Sequence, residues 1–68
     1  MLTKEQIIEK LDDHGAIITE GKASIQLLGH EGDTNIDTYC VFVILVNGSP
    51  VRAWINEDDA IKYYMQCR

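Results

Sequence analysis

The chain has little of what small proteins use for stability or for chemistry. Its 68 residues include two cysteines, two histidines and one proline, and there is no Cys-x-x-Cys pair or Cys/His cluster. The sequence therefore indicates neither a zinc site nor a secreted disulfide framework, and a bridge between Cys40 and Cys67 is not favoured. A chain this short buries only about 60% of its unfolded surface, so we expect oligomerisation to stabilise it.

Long apolar segments are also missing. The longest strictly apolar run, Cys40 to Val46, is much too short to span a membrane. The first residues, Met1 to Gln6, do not form the charged start and apolar stretch of a secretory signal peptide. We therefore expect a cytoplasmic protein that does not associate with membranes.

Basic residues are the third shortage. Eleven acidic side chains oppose six basic ones, which gives a formal charge of −5 at pH 7. Affinity for nucleic acids comes mostly from cations that neutralise phosphates, so direct nucleic-acid binding is not expected. An acidic surface allows a basic protein partner, or mimicry of the charge of a nucleic acid.

The strongest structural signal is a hairpin between residues 36 and 55. A run rich in β-branched and aromatic residues extends from Ile36 to Val46, Asn47-Gly48 follows, and a second run spans Val51 to Ile55. Asn and Gly accept the positive φ that a two-residue turn between antiparallel strands requires. Pro50 must open the last strand or lie at a sheet edge because it has no N–H.

Two further strands precede this hairpin. Ala16 to Glu20 forms a short strand candidate, and Gly21-Lys22 marks a turn. Ala23 to Leu28 alternates apolar and polar side chains over most of its length, as a strand with one buried face does.

A helix is predicted at each end of the chain. Thr3 and Gln6 have the spacing of a capping box, and the helix is expected to end near Asp13 or His14. Asn56 is a good N-cap for the second helix, and three carboxylates follow it at the positive end of the helix dipole. The stripe expected to be buried consists of Ala60, Ile61 and Tyr64.

The predicted order of elements is α-β-β-β-β-α, in a single domain over residues 1–68. This order predicts an α+β fold with two layers, in which a four-stranded antiparallel sheet carries both terminal helices on one face.

The polar loop before strand three contains the only motif that suggests a metal. Asp33-Thr34-Asn35-Ile36-Asp37 matches the start of a calcium loop, but the sixth position is Thr38 instead of Gly and the twelfth is Ile44 instead of Glu. We therefore expect a polar turn and no metal or other cofactor. The histidines, His14 and His30, have no serine or cysteine partner at a recognisable spacing, so an enzyme is not expected.

Strand three is apolar on both faces, although a two-layer fold covers only one. The face assigned to the core holds Ile36, Thr38, Cys40, Phe42, Ile44 and Val46. The other face holds Asp37, Tyr39, Val41, Val43 and Leu45. Open apolar patches of this size are rare in monomers, so the second face is predicted to be an interface.

Neighbouring strands are expected to extend this interface. The predicted interface residues are Tyr39, Val41, Val43, Leu45, Arg52, Trp54 and Leu28. Trp, Tyr and Arg are the residues that dominate interface energetics. Two alternatives remain open. The helices could wrap strand three more fully, or Trp54 could be a core residue between helix and sheet while Ala53 faces outward.

These observations lead to two functional hypotheses. The first is a non-enzymatic acidic protein that oligomerises through the apolar sheet face, as a homodimer or higher oligomer, and acts on a protein partner as an inhibitor or adaptor. Small acidic inhibitors that phages and mobile elements encode are of this type. The alternative is a protein that binds a small molecule or nucleotide at the oligomer seam, near Tyr39, Arg52, Trp54 and residues 29–35.

Overall fold

A computed structural model describes residues 1–12, 15–29 and 40–68. Its elements are α1 (Lys4–Lys10), β1 (Ile17–Glu20), β2 (Ala23–Gly29), β3 (Cys40–Val46), β4 (Ser49–Trp54) and α2 (Glu57–Cys67). The strands form one antiparallel sheet in the order β1-β2-β3-β4, so the predicted α+β architecture is confirmed. The predicted start of strand three and the calcium-like motif lie outside the described residues.

Tight turns join the two outer pairs of strands. Asn47 and Gly48 have φ values of 52° and 82°, and the flanking residues Val46 and Ser49 are paired. This is the type I′ turn that matches the twist of antiparallel strands. The Asn47 N–H donates to the carbonyl of Lys22 at 2.7 Å, so the β3–β4 turn is bonded to the β1–β2 turn at the same end of the sheet.

The first helix begins as predicted and ends earlier than predicted. Thr3 Oγ1 accepts from the Gln6 N–H, and Gln6 Oε1 accepts from the Thr3 N–H. The helix ends at Lys10, because Leu11 leaves the helical region at φ −89° and ψ 41° while its side chain is buried in the core. Gly15, with φ 90°, directs the chain into the sheet, and its N–H donates to the Leu27 carbonyl at 2.7 Å.

The core lies between the helices and one face of the sheet. Its buried members are Ile7, Leu11, Ile18, Ala23, Ile25, Leu27, Phe42, Ile44, Ala60, Ile61 and Tyr64. Both helices contribute to this one cluster, so both lie on the same face, as predicted. The burial of Phe42 and Ile44 confirms which face of strand three the core uses. Ile8, by contrast, is exposed on α1.

A hydrogen-bonded cluster around Glu20 connects both ends of the chain to β1. Glu20 Oε1 accepts from the Tyr64 hydroxyl and from the Arg68 guanidinium, each at 2.8 Å. Glu20 Oε2 accepts from the Leu2 N–H at 2.7 Å, and Arg68 also donates to the Leu2 carbonyl at 2.8 Å. The Glu20 and Arg68 side chains are only 13% and 11% exposed, so this ion pair is largely shielded from solvent.

This cluster shifts the pKa values of two of its members in opposite directions. The pKa of Glu20 is lowered, mainly because the Leu2 N–H binds the carboxylate, with further support from Tyr64 and Arg68. The pKa of Tyr64 is raised, mainly by burial and then by its hydrogen bond and proximity to the Glu20 carboxylate. The folded state therefore favours an ionised Glu20 beside a neutral Tyr64.

The burial of Phe42 gives a direct test of the core assignment. Phe42→Ala removes a side chain that is 5% exposed and should lower the free energy of unfolding by about 3–5 kcal/mol. Val43→Ala, one residue along the same strand, should lower it by less because Val43 is only half-buried on the opposite face. Urea denaturation of the two variants in parallel measures the difference. Equal losses would show that the core is not confined to the helix side.

The Glu20 cluster predicts how stability depends on pH. Since the pKa of Glu20 is lower in the folded state, its contribution is present above the unfolded pKa of about 4.3 and is lost as the pH falls through the folded value. The pKa of Tyr64 is raised, so its contribution is present below about pH 10 and is lost as the pH rises further.

Urea denaturation at a series of pH values measures this dependence. Glu20→Gln should reduce the loss of stability at acid pH, whereas Glu9→Gln, at an exposed position on α1, should leave it unchanged. The interpretation fails if the acid limb of Glu20→Gln matches that of the wild type.

Candidate functional site

The face of the sheet opposite the helices carries no charged residue in the described part of the chain. The strand register places on it Ile17, Thr19, Ser24, Gln26, Leu28, Val41, Val43, Leu45, Pro50 and Ala53. We call these ten residues the open face. Two of its polar side chains form a hydrogen bond with each other, since the hydroxyl oxygens of Thr19 and Ser24 are 2.9 Å apart.

Apolar side chains extend across the whole width of the open face. Ile17, Leu28, Val43 and Ala53 contribute one apolar side chain from each strand, and the directly paired row Ile17, Gln26, Val43 and Ala53 is interrupted only by the polar Gln26. Ile17 and Leu28 are 54% and 41% exposed, which is high for large apolar side chains. Such a surface is typical of a protein–protein contact.

The predicted positions of four interface residues agree with the structure. Val41, Val43, Leu45 and Leu28 all lie on the open face, and the three β3 residues among them are half-buried by neighbouring strands. Tyr39 lies outside the described residues. That the face forms an interface remains a prediction.

The layer of helices is strongly acidic, in contrast to the open face. Six carboxylates and three lysines lie on α1, on α2 or just beyond the end of α1. The carboxylates are Glu5, Glu9, Asp12, Glu57, Asp58 and Asp59, and the lysines are Lys4, Lys10 and Lys62. Lys4 and Asp58 form an exposed ion pair at 3.1 Å between the helices. The two sides of the molecule therefore differ sharply in charge.

The predicted outward orientation of Arg52 and Trp54 is wrong. Arg52 pairs with Ile44 and Trp54 with Phe42, so both side chains lie on the helix side of the sheet. The cause is a one-residue irregularity in β4: Leu45 pairs with Pro50, but the next residue, Ile44, pairs with Arg52. This β-bulge reverses the alternation that the sequence implies from the Asn-Gly turn onward.

The bulge brings Arg52 and Trp54 against α2. The guanidinium carbon of Arg52 lies 4.3 Å from the centroid of the Trp54 ring and 5.8 Å from that of Tyr63. The two rings are tilted by 51° with their centroids 6.0 Å apart. Trp54 and Tyr63 also pack against the buried core. The cation thus covers an aromatic pair that closes the core at the β4 edge.

A small groove lies beside this aromatic pair. It has a volume of about 190 Å³ and is lined by Trp54, Asp59, Lys62, Tyr63 and Gln66. The α2 members of this set were not among the residues predicted from the sequence. Their spacing of three to four residues places them on one helix face, but only the bulge brings that face against Arg52 and Trp54.

The described residues provide little else that could support chemistry. Among residues 1–12, 15–29 and 40–68, no three histidines, cysteines or carboxylates are grouped to hold a metal ion. Cys67 is a half-buried free thiol, and both histidines lie outside the described residues. Within the same ranges, no helix is long and apolar enough to cross a membrane.

Comparison with known proteins adds no functional information. No family model, curated protein or solved structure matches the chain.

The position of Trp54 predicts how its fluorescence should behave. Because the ring packs on the helix side under Arg52, its emission should remain blue-shifted over a dilution series and should change only on unfolding. It is the only tryptophan in the chain, so intrinsic fluorescence reports on it directly. Arg52→Ala, which uncovers the ring, should shift the emission to longer wavelength. An emission maximum that moves on dilution without loss of helical signal would contradict this placement.

Proposed function

We propose that this chain is a non-enzymatic binding protein of the cytoplasm. It forms a homodimer through the open face and engages a basic protein partner through its acidic helical layer, as an inhibitor or adaptor. The observation that supports this function is the separation of charge, since the described open face is uncharged while six carboxylates lie on the other side.

A second copy of the chain is the occupant that best fits the open face. Two chains of net charge −5 repel each other unless they meet where charge is absent, and the open face offers such a surface. The same uncharged face offers no ion pair to a basic partner. Pairing of identical faces around a two-fold axis gives a closed dimer.

The area of the open face sets the expected strength of this dimer. The strands have four, seven, seven and six residues, so at about 3.4 Å per residue and a strand spacing of about 4.8 Å they form a face of roughly 400 Å². Two such faces bury on the order of 800 Å², which is below the roughly 1,200 Å² at which stable specific interfaces begin and in the range of weak, transient ones. We therefore expect dissociation in the micromolar range and not an obligate dimer.

The acidic helical layer then faces outward on both sides of the dimer. Three of its carboxylates, Glu57, Asp58 and Asp59, lie in the first turn of α2. A basic partner would gain both affinity and rate of association from this surface, and both would decrease with salt.

A ligand site at the dimer seam is less well supported. Arg52 and Trp54, which that hypothesis places at the seam, lie on the face opposite to it. Only the residues of the 29–35 loop and Tyr39 would remain, and all but Gly29 lie outside the described residues.

The dimer is tested by a charge at the centre of the open face. Val43 lies between Gln26 and Ala53, so Val43→Asp would place two carboxylates in the interface. Dimer affinity should fall roughly hundredfold or more, because an uncompensated buried charge costs several kcal/mol. Sedimentation equilibrium over a concentration series measures the change, and circular dichroism verifies the fold. Val43→Thr, which adds no charge, should have a smaller effect.

A matched control adds the same charge to the other side. Ile8→Asp changes an exposed apolar residue of α1 and should leave the dimer intact. A wild-type chain that sediments as a 7.7 kDa species at every concentration would rule out the dimer.

Partner engagement is tested separately by affinity capture from lysate at low and high salt. Reversal of Glu5, Glu9 and Asp58 to lysine should abolish capture, whereas the dimer should persist.

A further inference from the structure

Gln26 is the polar residue at the centre of the open face. It is the middle residue of β2, Val43 is the middle residue of β3, and the two are directly paired. Since β2 and β3 are the inner strands of the sheet, this pair marks the centre of the face. Ile17 and Val43 flank Gln26 in the paired row, and Leu28 follows two residues along β2. An amide thus has apolar neighbours on three sides, at the point that a second copy would cover most completely.

Among the described residues, the Gln26 amide has no hydrogen-bond partner. Its polar neighbour two residues back on β2, Ser24, is already bonded to Thr19. In the single chain the Gln26 side chain is only half-buried, so water can bond to its amide. A covering surface removes this water, and a buried amide without a partner costs free energy that a weak interface does not supply.

The small area of the open face determines how two copies must overlap. Two faces bury on the order of 800 Å² only when they coincide, and this is already less than a stable interface needs. The two-fold axis between the stacked sheets must therefore pass over the centre of the face. Stacked sheets lie about 10 Å apart and neighbouring strands about 4.8 Å apart. Gln26 then lies directly opposite its counterpart if the axis crosses the strands, or one strand spacing to the side if the axis follows them.

We propose that Gln26 pairs with the Gln26 of the second copy across the two-fold axis. Each side-chain N–H donates to the carbonyl oxygen of the other amide, so both polar groups keep a partner when water leaves. An extended glutamine side chain spans roughly half of the distance between stacked sheets, so two of them meet.

This inference rests on the proposed dimer and adds a reason for its specificity. A second copy brings the complementary amide to the centre of the face, whereas an unrelated apolar surface would leave the Gln26 amide unpaired. A self-paired amide also fixes the register of the two faces, as a single buried asparagine does in coiled coils.

Opposite charges at Gln26 test whether the two side chains meet. Gln26→Glu and Gln26→Lys should each weaken self-association roughly hundredfold or more, because like charges then meet at the axis. A mixture of the two variants should restore association to within about tenfold of the wild type, because each mixed dimer contains one pair of opposite charges. Nuclear magnetic resonance of the ¹⁵N-labelled Gln26→Glu chain, titrated with the unlabelled Gln26→Lys chain, measures this affinity. Circular dichroism verifies both folds.

The same charges at Thr19 provide a matched control. Thr19 lies on the same face, on edge strand β1, and pairs with Ser24 two residues from the central row. Strand spacing and residue rise displace it sideways from its counterpart by roughly 14 Å for either direction of the axis. A mixture of Thr19→Glu and Thr19→Lys has the same net charges as the Gln26 mixture and should show no comparable recovery.

The glutamine amides of the wild-type chain provide a measurement that needs no substitution. The side-chain amide resonances of Gln26 should shift along a concentration series in proportion to the dimer fraction, and the amide protons should exchange more slowly with solvent. Gln6 and Gln66 lie on the two helices and should not shift, so they are references in the same spectrum.

The possible results separate the Gln26 pair from the dimer itself. A wild-type chain that remains monomeric at every concentration would overturn both. The Gln26 pair alone is overturned, and the dimer stands, if the wild type dimerises but the Gln26 mixture recovers no more than the Thr19 mixture. The same holds if the Gln26 amide resonances do not follow the dimer fraction.

Discussion

The rest of this structure depends on one limit, which is that two short helices can cover only one face of a four-stranded sheet. Helices of seven and eleven residues cover the side that carries Ile25, Phe42 and Ile44. The apolar residues of β3 that point the other way then have no layer of their own. In a chain of 68 residues, no second layer of helices is available among the described elements. The result is an open face that is largely apolar and carries no charge. We propose that a second copy of the chain covers it.

The Glu20 cluster holds both ends of the chain at the edge of the helix-covered face. Leu2 and Arg68 are 66 residues apart in sequence, yet both bind the same β1 carboxylate. A buried ion pair is not in itself a strong source of stability, because desolvation offsets much of the attraction. Its hydrogen bonds are directional, however, and they fix where the chain ends lie against the sheet. The cluster therefore holds Leu2 and Arg68, near the two ends of the chain, against the end of β1.

The sequence was sufficient for the parts of the fold that local patterns control. The Asn47-Gly48 turn, the Thr3 cap and the alternation along β2 each depend on residues close together in the chain, and all three are confirmed. The positions of Arg52 and Trp54 were not predictable in this way. A bulge changes the alternation by one residue, and Pro50 alone does not identify Val51 as the extra one, because proline also occurs at the start of strands and on edge strands without a bulge. The Glu20 cluster also has no sequence pattern, since its partners are 18 to 48 residues away.

The bulge also decides how the two proposed surfaces relate to each other. Regular alternation in β4 would place Trp54 and Arg52 on the uncharged face, along its β4 edge, where a buried guanidinium would oppose self-association. With the bulge, the small side chain of Ala53 lies there instead, and the cation lies on the helix side. The proposed two-fold dimer would then carry two acidic layers, both directed away from the seam. Such a dimer would be bivalent, so a partner with two basic sites of matching spacing would bind far more tightly than one with a single site.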